Sequence, residues 1–154
     1  MFEKNKSKII NLVFLVGLPS LVFILITGGK IISPYFTYWI AEISSEIHVP
    51  WFVWLYFQNT AMLQFPLFAA PGYGIEILGQ MGSTTIAMND AVPLFAILFK
   101  ILSPVLTDPI QYFGLWIYCS LLLQFFFAKK ILDLFINEKT ISFILALFFV
   151  ISPV

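Results

Sequence analysis

Two stretches of nineteen residues, Ile9 to Thr27 and Ile110 to Ala128, contain no charged side chain. As α-helices each would extend about 28 Å, close to the ~30 Å hydrocarbon core of a bilayer. A chain with two such runs must bury them in a protein core or give them to lipid, and composition decides between the two. Sixty per cent of the 154 residues are hydrophobic, 18% are aromatic and 10% are charged, whereas about a quarter of a soluble domain is charged. Too few polar residues are present to cover the surface of a soluble fold. The expected class is an all-α membrane protein, with transmembrane helices and a large outer loop carrying juxtamembrane or interfacial helices.

The formal net charge is zero and every basic residue is a lysine. Nucleic-acid binding calls for clustered Lys and Arg on a polar groove, whereas the aromatics here sit in apolar runs, so no nucleic-acid partner is expected. The single cysteine, Cys119, lies within an apolar run and excludes an internal disulfide or a cysteine metal cluster. The Gly-rich turns PGYG and MGS lack phosphate-loop spacing, and no Gly-x-Ser-x-Gly nucleophile motif is present.

Lys4, Lys6 and Lys8 precede the first apolar run, and Gly28-Gly29 ends it. Thr27-Gly28-Gly29 would suit a signal-peptide cleavage site, but the run exceeds a usual signal core, so an uncleaved anchor is expected. Pro19 should kink this helix. Tyr35, Tyr38, Trp39, Glu42, Ser45 and Glu46 follow three-and-four spacing and predict one helical face, which Pro50 should break or redirect. Residues 65–90 read as irregular loop with turns at PGYG and MGSTT. Ala91 to Leu106 is apolar but short, with prolines near both ends and Lys100 in its second half. The run from Thr140 stops at Val154, so the sequence reads as the N-terminal part of a longer polytopic domain, inactive alone.

Sidedness decides the role of Ala91 to Leu106. If it does not cross, the N-terminus and residues 129–139 share a side holding six lysines, while residues 30–109 hold two lysines and five acidic residues. That division obeys the positive-inside rule. The expected spans are therefore 9–27, 110–131 and 140–154 within one domain over residues 1–154. The protein is expected in the plasma (inner) membrane, multi-pass, with a cytoplasmic N-terminus and an outside loop over residues 30–109. A loop of that length should pack at the membrane surface and shape a cavity.

Several side chains in that loop carry chemistry. Glu42 and Glu46 are four residues apart, so on a helix they share a face, raising the affinity of one for a proton or of the pair for a divalent cation. His48 lies near enough to orient Glu46 or to be an ordinary interfacial histidine. Trp51 and Trp54 suit stacking against a sugar or isoprenoid and equally suit an interfacial aromatic belt. Asp90 suits the N-cap of the helix after Ala91, with Pro93 in its first turn, and also a cavity-facing role. Lys100 suits a phosphate contact or a snorkelling interfacial lysine.

One inside-to-outside helix, a large outer loop and further spans form an order that resembles the GT-C superfamily of membrane glycosyltransferases. Phe57-Gln58-Asn59, Phe65-Pro66-Leu67, Asn89 to Leu94 and Gln111-Tyr112-Phe113-Gly114-Leu115-Trp116 further resemble an uncharacterised bacterial branch of it. The resemblance implies transfer of a sugar from a polyprenyl-phosphate donor to an outer-surface glycan or lipid. It puts the base or metal ligand at Glu46 or Glu42, where Asp is commoner in the family. It also implies a basic residue before Pro93, which this chain lacks. The competing class is a non-catalytic polytopic transporter or scaffold. Transporters place ionisable groups near the midplane of their spans, and residues 9–27 and 110–128 carry none.

Overall fold

The computed structural model describes residues 2–40, 47–59, 69–74, 83–85, 90–106 and 109–151. The described chain is mostly helical and divides into two compact units, residues 1–30 with 115–154, and residues 31–114. Its helices are α1 (Phe2–Thr27), α2 (His48–Asn59), α3 (Pro93–Leu102), α4 (Phe113–Leu132) and α5 (Lys139–Ile151).

The first unit is built from α1, most of α4, and α5. Phe125 and Ala128 of α4 meet Ala146 and Val150 of α5, and Leu15, Leu18 and Val22 of α1 pack against them. The alanines leave room for larger neighbours, so the helices approach through small residues while Leu, Val and Phe fill the space. Helix α1 runs without interruption through Pro19, which is fully buried. Its neighbour Ser20 donates to Val16 O at 2.7 Å and pairs with the Tyr118 hydroxyl at 2.8 Å, so polar side chains surround the turn weakened by proline. Gly28 and Gly29 then take positive φ, 66° and 74°, and end the helix in the left-handed conformation that glycine adopts without penalty. Thr27 secures the exit, donating to Phe23 O and accepting from Gly29 N.

At the other end of this unit a polar clamp joins α4 to α5. Lys129 Nζ lies 2.6 Å from Asp133 Oδ2, Ser142 Oγ donates to Asp133 Oδ1 at 2.6 Å, and the Lys129 ammonium lies 4.4 Å from the Phe143 ring centroid. Burial raises the Asp133 carboxyl, but the bonds from Lys129 and Ser142 and the charges of Lys129 and Lys139 outweigh it and hold it below the ordinary carboxylate value.

The 31–114 unit begins with a 3-10 turn, Lys30–Ile32, of which Ile31 onward belongs to this unit. Tyr35 to Ile40 continue as successive turns, with Phe36 N bonded to Ser33 O and Ile40 N to Thr37 O, and Trp39 Nε1 donates to Phe36 O. The expected helical face through Tyr35, Tyr38 and Trp39 is therefore corrected: three-residue returns replace the helical ladder after Pro34. Pro50 does not end a helix. It sits in the first turn of α2, where a missing N–H costs nothing. Within residues 65–90, β1 (Ala69–Gly74) pairs antiparallel with β2 (Ser83–Thr85), so the PGYG segment lies in a strand instead of a free turn. Ala69 faces Thr85 and Gly74 faces Ser83, so β1 takes five steps where β2 takes two. Such irregularity is how Pro71 and the glycines enter a ladder.

Candidate functional site

The centre of the 31–114 unit is the segment Ile110 to Gly114, which leads into α4. Ile110 O accepts both indole N–H groups, from Trp51 at 3.0 Å and from Trp54 at 3.1 Å. Those tryptophans are three apart on α2 and so project from one face. Trp54 is 0% exposed and meets the Tyr112 ring edge-on, with centroids 5.0 Å apart. A belt tryptophan keeps its N–H in the wet interface. Here both N–H groups are bonded inside the unit, so the belt expectation is corrected for Trp51 and Trp54: they are interior packing residues.

Gln111 uses its whole amide. Nε2 donates to Ile31 O at 2.7 Å and to Ser33 O at 2.6 Å, Oε1 accepts from Gly114 N at 2.9 Å, and the backbone N donates to Pro34 O at 2.8 Å. One buried side chain thus satisfies an orphan N–H at the start of α4 and two carbonyls of the entry turn. The backbone of Ile31 comes so close that a methyl group at Gly114 would overlap its carbonyl. Tyr112 is fully buried and donates its hydroxyl to Ala91 O. Its ring lies 4.5 Å from Phe113, 5.5 Å from Phe99 and 6.3 Å from Phe95.

The bond from Tyr112 bears on the start of α3. Val92, the residue preceding Pro93, has φ 48° and ψ 73°, a left-handed conformation that a β-branched residue rarely adopts. Holding Ala91 O to Tyr112 offsets that strain. Val92 is also the N-cap, with no side-chain cap bond, and Pro93 stands at the first helical positions. The expectation for Asp90 is corrected accordingly: it lies two residues before the cap, exposed, and does not cap α3. Phe95 N, a donor that a capping side chain would take, is bonded instead to Val92 O at 3.0 Å, and Pro93 brings no N–H of its own.

Lys100 is 4% exposed. Its Nζ donates to Phe57 O at 2.6 Å and stands 3.9 Å from the Phe57 ring centroid. Phe57 O belongs to the last turn of α2, where carbonyls lack intrahelical partners and a cation is favoured. The snorkelling expectation is corrected, because the ammonium closes the C-terminal end of α2 from within the unit. Burial holds its pKa below the ordinary 10.5.

The structure therefore brings Trp51, Trp54 and Lys100 into one aromatic cluster through Phe57, whose ring centroid is 6.4 Å from that of Trp54. His48 opens α2, but its side chain lies outside what is described, as do Glu42 and Glu46. Among the described residues no three His, Cys, Asp or Glu side chains converge as a metal site. Sequence reasoning gave no role to Ile110, Gln111, Tyr112 and Gly114 beyond family likeness. A glycine two residues into an apolar helix, preceded by a glutamine, was the available signal for a close backbone approach.

No curated protein and no solved structure matches the chain. A family model described as a domain of unknown function, DUF6311, matches residues 15–154, nearly the full sequence, and the chain belongs to that family.

Proposed function

We propose that the protein belongs to a GT-C-type membrane glycosyltransferase activity that moves a sugar from a polyprenyl-phosphate donor to a glycan or lipid on the outer surface. In this reading α1, α4 and α5 sit in the plasma (inner) membrane with the N-terminus cytoplasmic, and residues 31–114 lie outside. Glu46 takes the proton from the acceptor hydroxyl. The freed oxygen attacks the anomeric carbon, the bond from that carbon to the donor phosphate breaks, and polyprenyl phosphate leaves with inversion.

Outward-facing apolar side chains support the membrane placement. Leu25, Ile26, Phe127 and Phe148 are all more than half exposed on their helices. Among the described residues one helix, Phe113–Leu132, is both long and apolar enough to cross a bilayer, and only 17% of its apolar window is buried. Helix α3 has 10 residues, about 15 Å, half a hydrocarbon core, which suits a surface element.

The observation that carries the catalytic reading is the compact unit over residues 31–114, interposed in sequence between two apolar helices. Its first α-helix, α2, begins two residues after Glu46 and is anchored through Trp51, Trp54 and the bond from Lys100 to Phe57 O. Proton transfer requires a base held in place, and α2 is the held element that follows Glu46 in sequence.

Glu46→Gln in the native host tests the reading. Membrane insertion should be normal, and transfer of labelled sugar from polyprenyl phosphate to the envelope should fall at least ~100-fold, the usual worth of a general base. Undiminished transfer would remove Glu46 from the reaction, and loss in Glu42→Gln alone would move the role there.

A further inference from the structure

The corner between α4 and α5, Asp133 to Glu138, lies wholly within the unit formed by residues 1–30 and 115–154. Turns that face water are polar, yet this one presents two large apolar side chains: Leu134 and Phe135 are each 80% exposed. They are not an isolated pair. Leu123, Phe127 and Ile131 are each more than half exposed on α4, and their four-residue steps place them on one face. Leu134 and Phe135 follow Ile131 at three and four residues. The turn is tight enough to keep that order, since Leu134 N bonds Ile131 O at 3.1 Å and Phe135 N bonds Leu132 O at 3.0 Å. One apolar stripe therefore runs down α4 and continues past its end.

Polar groups at the corner are satisfied from within. Asp133 N bonds Lys129 O at 2.9 Å and Ile136 N bonds Leu132 O at 2.9 Å, so the backbone donors of Asp133, Leu134, Phe135 and Ile136 are all taken. The Asp133 carboxylate accepts from Lys129 Nζ at Oδ2 and from Ser142 Oγ at Oδ1. Such closure is what a segment needs to leave water, because hydrocarbon offers no partner to an unmet donor or a lone charge.

We propose that this corner is an interfacial anchor, docked on the bilayer at the boundary of headgroups and acyl chains, with Leu134 and Phe135 on the acyl side and Asn137, Glu138 and Lys139 on the water side. Length sets the depth. The 20 residues of α4 extend about 30 Å, one hydrocarbon core, so the corner that follows emerges at headgroup level. Interfacial segments sink their apolar side chains about 5–10 Å into that boundary. Leu134 and Phe135, two and three residues past the helix, have that reach. Lys129 and Lys130 in the last turn of α4 mark the same level, as basic residues do at a membrane surface. Apart from the Lys129–Asp133 pair, Lys130 and Lys139 stand against Glu138, so both signs are present and the headgroup need carry no net charge. The occupant follows from the continuous stripe: the lipid that covers Leu123, Phe127 and Ile131 also covers Leu134 and Phe135.

The inference rests on the membrane placement proposed above and not on glycosyl transfer. The test puts one nitroxide label on the full protein in phosphatidylcholine vesicles, with Cys119→Ala removing the native thiol. Collision with oxygen, which concentrates among acyl chains, is compared with collision with a nickel chelate, which stays in water. Oxygen should dominate at Phe135→Cys and the chelate at Asn137→Cys, so that the ratio of the two collision rates inverts across two residues. Leu134→Cys carries the same expectation as Phe135→Cys and replaces it if that variant fails to insert. Leu123→Cys, midway along α4, reports the membrane placement itself. Chelate dominance at both Leu123→Cys and Phe135→Cys would remove the placement and the anchor with it. Oxygen dominance at Leu123→Cys with chelate dominance at Phe135→Cys and Leu134→Cys would overturn the anchor alone. A label at Phe135→Cys shielded from both probes would mean that protein covers the corner, and would overturn it as well.

Discussion

Replacing Gln111 by methionine keeps most of the length and volume of the side chain and deletes every polar atom that ties the entry turn to the start of α4. Three bonds disappear, to Ile31 O, to Ser33 O and from Gly114 N. Those with Ile31 O and Gly114 N are buried, and each group left without a partner costs about 1–3 kcal/mol. The expected loss is about 2–6 kcal/mol, with a smaller addition from Ser33 O because that bond is only partly buried. A domain has about 5–15 kcal/mol in all, so the substitution should threaten folding outright. Thermal unfolding in detergent, followed by tryptophan emission, reads the change directly. Trp51 and Trp54 are bonded to Ile110 O, one residue away. Gln111→Met should melt about 10 °C or more below the parent, by the usual conversion of stability to melting temperature for a unit of this size. Gln111→Glu keeps the acceptor for Gly114 N and loses the donors, so it too should be destabilised. If the methionine variant melts within about 1 °C of the parent, the bonds around Gln111 contribute almost nothing and the anchoring role assigned to it is wrong.

Two further outcomes follow from the same unit. Gly114→Ala places a methyl group into the Ile31 carbonyl, and because the obstacle is backbone it should abolish accumulation of folded protein in the membrane; near-normal accumulation would mean that this approach is looser than described. Lys100 responds to pH. Burial lowers its folded-state pKa while the unfolded chain keeps the ordinary value of 10.5. The unfolded state therefore binds more protons between the two values, and stability rises as pH increases through that window. Melting measured from about pH 7 to about pH 10 should climb more steeply in the parent than in Lys100→Met, and equal slopes would contradict the burial of the amine.

The apolar helices are the part most legible in the sequence. An expected span over 9–27 lies within α1, 110–131 overlaps α4, and 140–154 overlaps α5, because uninterrupted hydrocarbon at helical length leaves little choice of structure. The Gly28-Gly29 stop and the proline in the first turn of α3 were legible for the same local reason. What failed to show was where polar atoms find partners. Trp51 and Trp54 have the composition of an interfacial belt, and only tertiary structure puts Ile110 O between their N–H groups. Lys100 looks like a snorkelling lysine until the last turn of α2 arrives above it. Asp90 satisfies the sequence rule for a cap, yet Val92 takes that place because Tyr112 holds the preceding carbonyl. Of the candidate site itself, Glu42 and Glu46 lie outside the described residues, so their part in it stands on sequence and resemblance.

Sidedness of residues 31–114 tests the account most directly, because an outer-surface transferase requires this unit to face away from the cytoplasm. Gly82→Cys in a Cys119→Ala background leaves a single thiol in the chain. Intact cells treated with a membrane-impermeant maleimide should label that thiol as completely as lysed cells do. Protection in intact cells, with labelling only after lysis, would place the unit inside and contradict the account.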